Sequence, residues 1–269
     1  LEASIGAGEG FRFSERYLDA REAISDRMGD NLGCAVATLA ASPPSAQVLE
    51  DLLALTLDAE QVFADGLLSQ PAHTVFLQRA GDAFQTALQA VLDTDFDGCS
   101  APPHSRLGEL SGLWPTVLDA STRLPAIGEV LKDAFRQRLS DNYRCVFDEL
   151  RVEDPSLETM SDVASTYSEA FLQTGSGLLD QARLTQLEVY GGQVWGELRD
   201  GYLETLDGCA ELPRVTFHDE LLLLKQASEA PDFHFADQLL DTIVAIYERT
   251  HGNLECVILE AAEKPASVG

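Results

Sequence analysis

The sequence predicts an all-α fold: a tandem duplication of a four-helix unit of about 111 residues, plus a final helix, about nine helices in total. Three observations lead there. The long segments are built mostly from Leu, Ala, Glu, Asp and Gln with few β-branched residues, which favours helix over strand. One eight-residue signature occurs three times at a constant offset of 111: Arg27–Cys34 (RMGDNLGC), Arg138–Cys145 (RLSDNYRC) and Arg249–Cys256 (RTHGNLEC). Asn31, Asn142 and Asn253, one in each copy, are the only asparagines of the chain. Third, proline and glycine punctuation recurs in the same order between the copies.

Residues 1–10 are small and read as a flexible tail. Helix A follows over 11–40, where Ala23, Arg27, Asn31 and Cys34 fall at steps of four, four and three and so share one helix face. Ser42-Pro43-Pro44-Ser45 ends it. Helix B is expected over 45–69, with Val48, Leu52, Leu55, Ala59 and Phe63 at helical spacing and Pro71 as its breaker. Helix C is expected over 73–94, closing at Asp97-Gly98-Cys99. Pro102 and Pro103 then separate it from a shorter helix D over 105–120, interrupted near Trp114-Pro115.

The order then begins again. Helix A′ is expected over 125–152, and Asp154-Pro155-Ser156 stands where Pro43-Pro44-Ser45 stood. Gly177-Leu178-Leu179 in helix B′ repeats Gly66-Leu67-Leu68. Farther on, Leu187, Gly191, Leu198 and Asp207-Gly208-Cys209 align with Leu77, Gly81, Leu88 and Asp97-Gly98-Cys99 at an offset of 110, so one residue is lost at the start of C′. Helix D′ is expected over 217–230 and a third A helix over 235–263. The expected domains are 1–122, 123–232 and 233–269, the last capping the second unit. Each unit is longer than common helical repeats and resembles a small four-helix bundle more than a solenoid rung.

Composition narrows the function. With 45 acidic residues against 18 basic ones the formal net charge is −27, the wrong sign for a nucleic-acid partner. No apolar run approaches the 18 residues of a membrane span. Only Lys132, Lys225 and Lys264 are lysine, a pattern that would also suit a cytoplasmic protein of a salt-adapted organism. The absence of an initial Met or a signal-like segment is compatible with a mature secreted chain.

Five cysteines occupy equivalent places, three on the A helices and two after the C helices. Two pairings respect the repeat. Cys34 with Cys99 and Cys145 with Cys209 leaves Cys256 single, and is the preferred expectation; Cys99 with Cys145 and Cys209 with Cys256 leaves Cys34 single. Both put partners at the same bundle end, so direction does not choose. Disulfides imply a secreted or extracellular protein, and the odd cysteine offers a route to a dimer.

The Arg27–Asn31, Arg138–Asn142 and Arg249–Asn253 pairs are read chiefly as structural, with arginine reaching a neighbouring carboxylate and asparagine bonding free carbonyls. Asp93, Asp95 and Asp97 reproduce the first half of a calcium loop, but the position of its bidentate Glu is His104, so no cofactor or calcium requirement is expected. His73, His104, His218, His234 and His251 form no metal motif, and no nucleophile elbow or phosphate loop is present. Phe84, Tyr190, Trp195 and Tyr202 on the C-type helices are core residues, or the lining of an interior cavity. The expected function is a non-enzymatic secreted helical protein that binds, stores or carries a small apolar or amphipathic ligand; the alternative is an acidic helical interaction or assembly protein engaging a protein partner.

Overall fold

A computed structural model describes residues 14–95, 103–206, 225, 228 and 234–263. Among these residues the chain is all-helical. Eight helices follow one another: α1 (Ser14–Ala40), α2 (Ala46–Ala64), α3 (Gln70–Asp95), α4 (Pro103–Arg123), α5 (Gly128–Arg151), α6 (Leu157–Gly175), α7 (Gln181–Thr205) and α8 (Ala236–Glu263). They correspond to A, B, C, D, A′, B′, C′ and A″. The expected helix D′ over 217–230 lies outside the described residues apart from Lys225 and Ser228, which are helical.

Local chemistry sets the ends of α2 and α6, which are both 19 residues long and start 111 positions apart. Ser45 and Ser156 have extended backbones, and their hydroxyls accept from the amides of Val48 at 3.3 Å and Thr159 at 3.0 Å. Each therefore satisfies one amide that has no partner inside the helix. Ser45→Ala and Ser156→Ala should each lower stability by about 1 kcal/mol, read as a shift of the thermal midpoint by circular dichroism.

After both helices the chain turns through a glycine in the left-handed region, Gly66 at φ +73° and Gly177 at φ +76°. That turn ends α2 at Ala64, five residues before the expected end of helix B. The following helix begins at Gln70, and Pro71 lies within it. Proline is tolerated in a first turn because its missing amide would have had no helical partner there. In α4 the helix likewise runs through Pro115 instead of being interrupted. Burial of Leu113, Trp114, Val117 and Ala120 offsets the one lost backbone bond.

Packing along the C helices bears on the expected offset of 110. A Cβ on Gly81 would meet Ile127 and one on Gly192 would meet Gln238, two contacts related by 111 at both partners. Buried Phe76 and Phe84 likewise correspond to buried Leu187 and Trp195, whereas Leu77 is only half-buried. These pairs fit an offset of 111, while Leu88 and Leu198, both buried, fit 110.

By their contacts the residues divide into two units, and the division falls inside α5 after Phe135. The first unit buries Leu49, Leu52, Phe76, Phe84, Leu92, Val117 and Phe135. Trp114 packs on Phe135 with ring centroids 5.0 Å apart, and Arg123 joins α4 to α2 through Glu60 at 2.6 Å. The second unit buries Tyr143, Phe147, Met160, Tyr167, Trp195 and Phe235. In each unit an arginine of the A-type helix donates to the carbonyl of the left-handed glycine: Arg21 to Gly66 at 3.3 Å and Arg136 to Gly177 at 3.2 Å.

Candidate functional site

The three copies of the signature have unlike surroundings. Asn31 is exposed, Asn142 is buried, and Asn253 is half-buried with its amide donating to the carbonyl of Leu206, the residue that ends α7. Terminal helical carbonyls lack partners within the helix, and Asn253 supplies one. Arg27 is exposed, whereas Arg138 and Arg249 are half-buried and each has an interaction partner.

The cysteines follow the same division. Cys34 is an exposed free thiol, while Cys145 and Cys256 are disulfide-bonded. Cys99 and Cys209 lie outside the described residues, and no disulfide pair lies wholly within them. These states reverse the preferred expectation, in which Cys34 was bonded and Cys256 was single. The reason is positional. Cys256 follows by one helical turn the asparagine that seats α8 on the end of α7, three residues before Cys209. On α1 the corresponding face, with Asn31 and Cys34, is open to solvent.

Of the four aromatic residues considered as cavity lining, Phe84, Trp195 and Tyr202 are buried in packed cores. Trp195 stacks on Phe235 at 5.8 Å, and its indole Nε1 donates to the Thr242 hydroxyl at 2.9 Å. Tyr190 instead borders a surface groove of about 370 Å³ between α5 and α7. Its hydroxyl donates to Asp148, and the Arg144 guanidinium lies 4.6 Å above its ring.

Between α1 and α3 there is a corresponding groove of about 500 Å³, bordered by Asp26, Asp30 and Arg79. Beside it lies a more apolar one of about 450 Å³, lined by Val36, Ala37, Ala40, Pro44, Ala83 and Ala87. Asp30 and Asp141 border the two α1/α3-type grooves at equivalent places, but their arginines differ: Arg79 comes from a C helix, Arg144 from an A helix. Neither groove has the same binding set in both units.

Asp93 lies in the last turns of α3, whose described span ends at Asp95. Asp93 accepts from the Gln89 amide at 3.0 Å. Asp97 lies outside the described residues, among which no cluster of three potential metal ligands occurs.

His73 is buried, stacked on Phe63 at 4.3 Å with its Nε2 lacking a hydrogen-bond partner. Burial lowers its pKa below 6.5, opposed in part by Glu60. The unfolded chain therefore binds this proton more readily, so the stability due to the neutral ring is complete above pH 6.5 and is lost as pH falls below it toward the folded value. His73→Leu, which installs the residue found at the buried counterpart Leu184, should flatten this limb. Thermal midpoints at pH 7.5 and 5.5 measure it.

A further surface was missed in reading the sequence for ligands. Along α8, Leu239, Thr242 and Ile246 are buried against the second unit. On the opposite side Leu240, Val244, Tyr247, Leu254 and Ile258 stand exposed, from 40% at Leu254 to 66% at Ile258. With His251 between them, these residues follow one another at steps of four, three, four, three and four. That is the spacing of a coiled-coil seam, and it was legible in the sequence.

No family model, curated protein or solved structure matches the chain. Function therefore rests on the chemistry of these surfaces. No helix among the described residues is long and apolar enough to cross a membrane.

Proposed function

We propose that the chain is a non-enzymatic, acidic helical interaction protein that engages a protein partner, built by tandem duplication of a four-helix unit with a third A helix. The observation that carries this role is the exposed apolar seam of α8, set against the burial of Phe84, Trp195 and Tyr202 in packed cores. A row of exposed apolar side chains at heptad spacing is costly in water and is stabilised by a second helix. The duplication is supported by the matched caps at Ser45 and Ser156, the left-handed Gly66 and Gly177, and the contacts of Gly81 and Gly192.

The disulfide states support secretion and the pairing of Cys99 with Cys145 and Cys209 with Cys256. Peptide mapping without reduction should recover those two linked pairs with Cys34 free; any other linkage refutes the pairing. A carrier of a small apolar or amphipathic ligand remains the second role, supported by the apolar groove of about 450 Å³ between α1, α2 and α3. Native mass spectrometry of protein from its natural source separates the two. A partner chain on the 29.2 kDa species supports interaction. Added mass of a few hundred daltons supports carriage.

A further inference from the structure

We infer that the exposed seam of α8 docks a basic amphipathic helix, which pairs with α8 as the second strand of a short coiled coil. This rests on the proposed interaction role and names the partner's chemistry. The seam offers Leu240, Tyr247 and Leu254 at one heptad position and Val244, His251 and Ile258 at the other. One flank carries Asp241, Glu248 and Glu255, all exposed and spaced seven apart. The other carries Ile243, Thr250 and Val257, which are half-buried and uncharged.

These flanks decide the occupant, because flanking positions set partner choice in paired helices. In an antiparallel pair of two copies, the acidic row of one α8 would face the acidic row of the other. In a parallel pair, carboxylates would face Ile243, Thr250 and Val257, and His251 would meet His251. The net charge of −27 adds repulsion at longer range. A helix with Leu or Ile along its seam and Lys or Arg on the flank facing Asp241, Glu248 and Glu255 meets none of these obstacles. The packed face of α8, with Leu239, Thr242 and Ile246 against the second unit, holds the seam outward and straight before the partner arrives.

The third A helix differs here from its counterparts in a way that serves this role. Glu129, Asp133 and Arg136 of α5, and Leu18, Glu22 and Ser25 of α1, occupy the positions of Leu240, Val244 and Tyr247, so only α8 is apolar at all three. In the other half, Leu254 and Ile258 correspond to Tyr143 and Phe147, which are buried in the second unit, and to Leu32 and Val36, which are buried in the first.

The test uses the full chain and two synthetic four-heptad peptides with leucine along the seam, one flanked by lysine and one by glutamate. Fluorescence anisotropy should show binding of the lysine peptide and none of the glutamate peptide. The double variant Tyr247→Glu/Leu254→Glu should weaken it about tenfold or more. The sign discriminates: two added carboxylates would strengthen a merely electrostatic association, so undiminished or tighter binding overturns the inference. Tyr247→Ser/Leu254→Ser repeats the test without added charge, and Leu57→Glu on α2 is the control expected to bind as the parent does. Dimers by light scattering that dissociate in the same double variant also overturn it, in favour of self-pairing. If the lysine peptide fails while a protein partner accompanies the chain from its source, the inference falls and the interaction role stands.

Discussion

Trp195→Ala is expected to destabilise the second unit by about 3–5 kcal/mol. Trp195 is only 1% exposed, and truncation would remove its stacking on Phe235 and open a large void beneath it. It would also remove the indole donor from the buried Thr242 hydroxyl, which would keep only its own bond to the Gln238 carbonyl at 2.7 Å. The cavity cannot close easily. Gly191 lies nearby with Phe235 and Phe147 already against it, a Cβ there falling 3.1 Å and 3.2 Å from their rings. Trp195→Phe, which installs the aromatic ring of the counterpart Phe84, should recover much of the loss. Trp114 belongs to the first unit and Trp195 to the second, so single-tryptophan variants report each unit separately during denaturant unfolding. In Trp195→Ala the transition reported by Trp114 should keep its midpoint while helical signal is lost at lower denaturant. A single unshifted transition would mean that Trp195 is not central to the packing.

Breaking the disulfides should have an effect of similar size, and confined to one unit. Cys145 and Cys256 are both bonded and both belong to the second unit, whereas Cys34, the described cysteine of the first, is a free thiol. Removing a native disulfide costs about 2–5 kcal/mol. Closing loops of about 47 residues, as the proposed pairing requires, gives roughly 4 kcal/mol for each bond in the chain-entropy picture. Cys145→Ser, or treatment with a reductant, should therefore lower the unfolding midpoint seen by Trp195 and leave that seen by Trp114 unchanged. Cys34→Ser should be silent, because its side chain is exposed and unbonded. An equal shift of both units on reduction would contradict this assignment.

The helices and their order were legible because their signals are local. Caps such as Ser45 and Ser156, the turn glycines Gly66 and Gly177, and apolar spacing along α2 act within a few residues. Errors arose where a local breaker is disarmed: Pro71 stands in the first turn of its helix and costs no bond there, and Pro115 lies inside a helix whose apolar face is covered. Along the C helices leucines and glycines match at several offsets: the contacts of Gly81 and Gly192 fit 111, and buried Leu88 and Leu198 fit 110.

Repetition of residues also overstated repetition of surroundings. Asn31, Asn142 and Asn253 are identical in sequence and differ in burial, because a side chain's environment depends on what packs over it and not on the stretch that carries it. The thiol states of Cys34 and Cys256 followed that difference.

The amino-acid sequence by itself determined an all-helical chain, the positions of most helices, the acidity and the heptad spacing along α8, all properties of neighbours within a turn or two. Only the tertiary structure decided which cysteines are bonded, that Phe84, Trp195 and Tyr202 are buried, and which of the faces of α8 meets solvent. Those outcomes depend on contacts between residues far apart in the chain, whose formation is set by how whole helices share a limited interior.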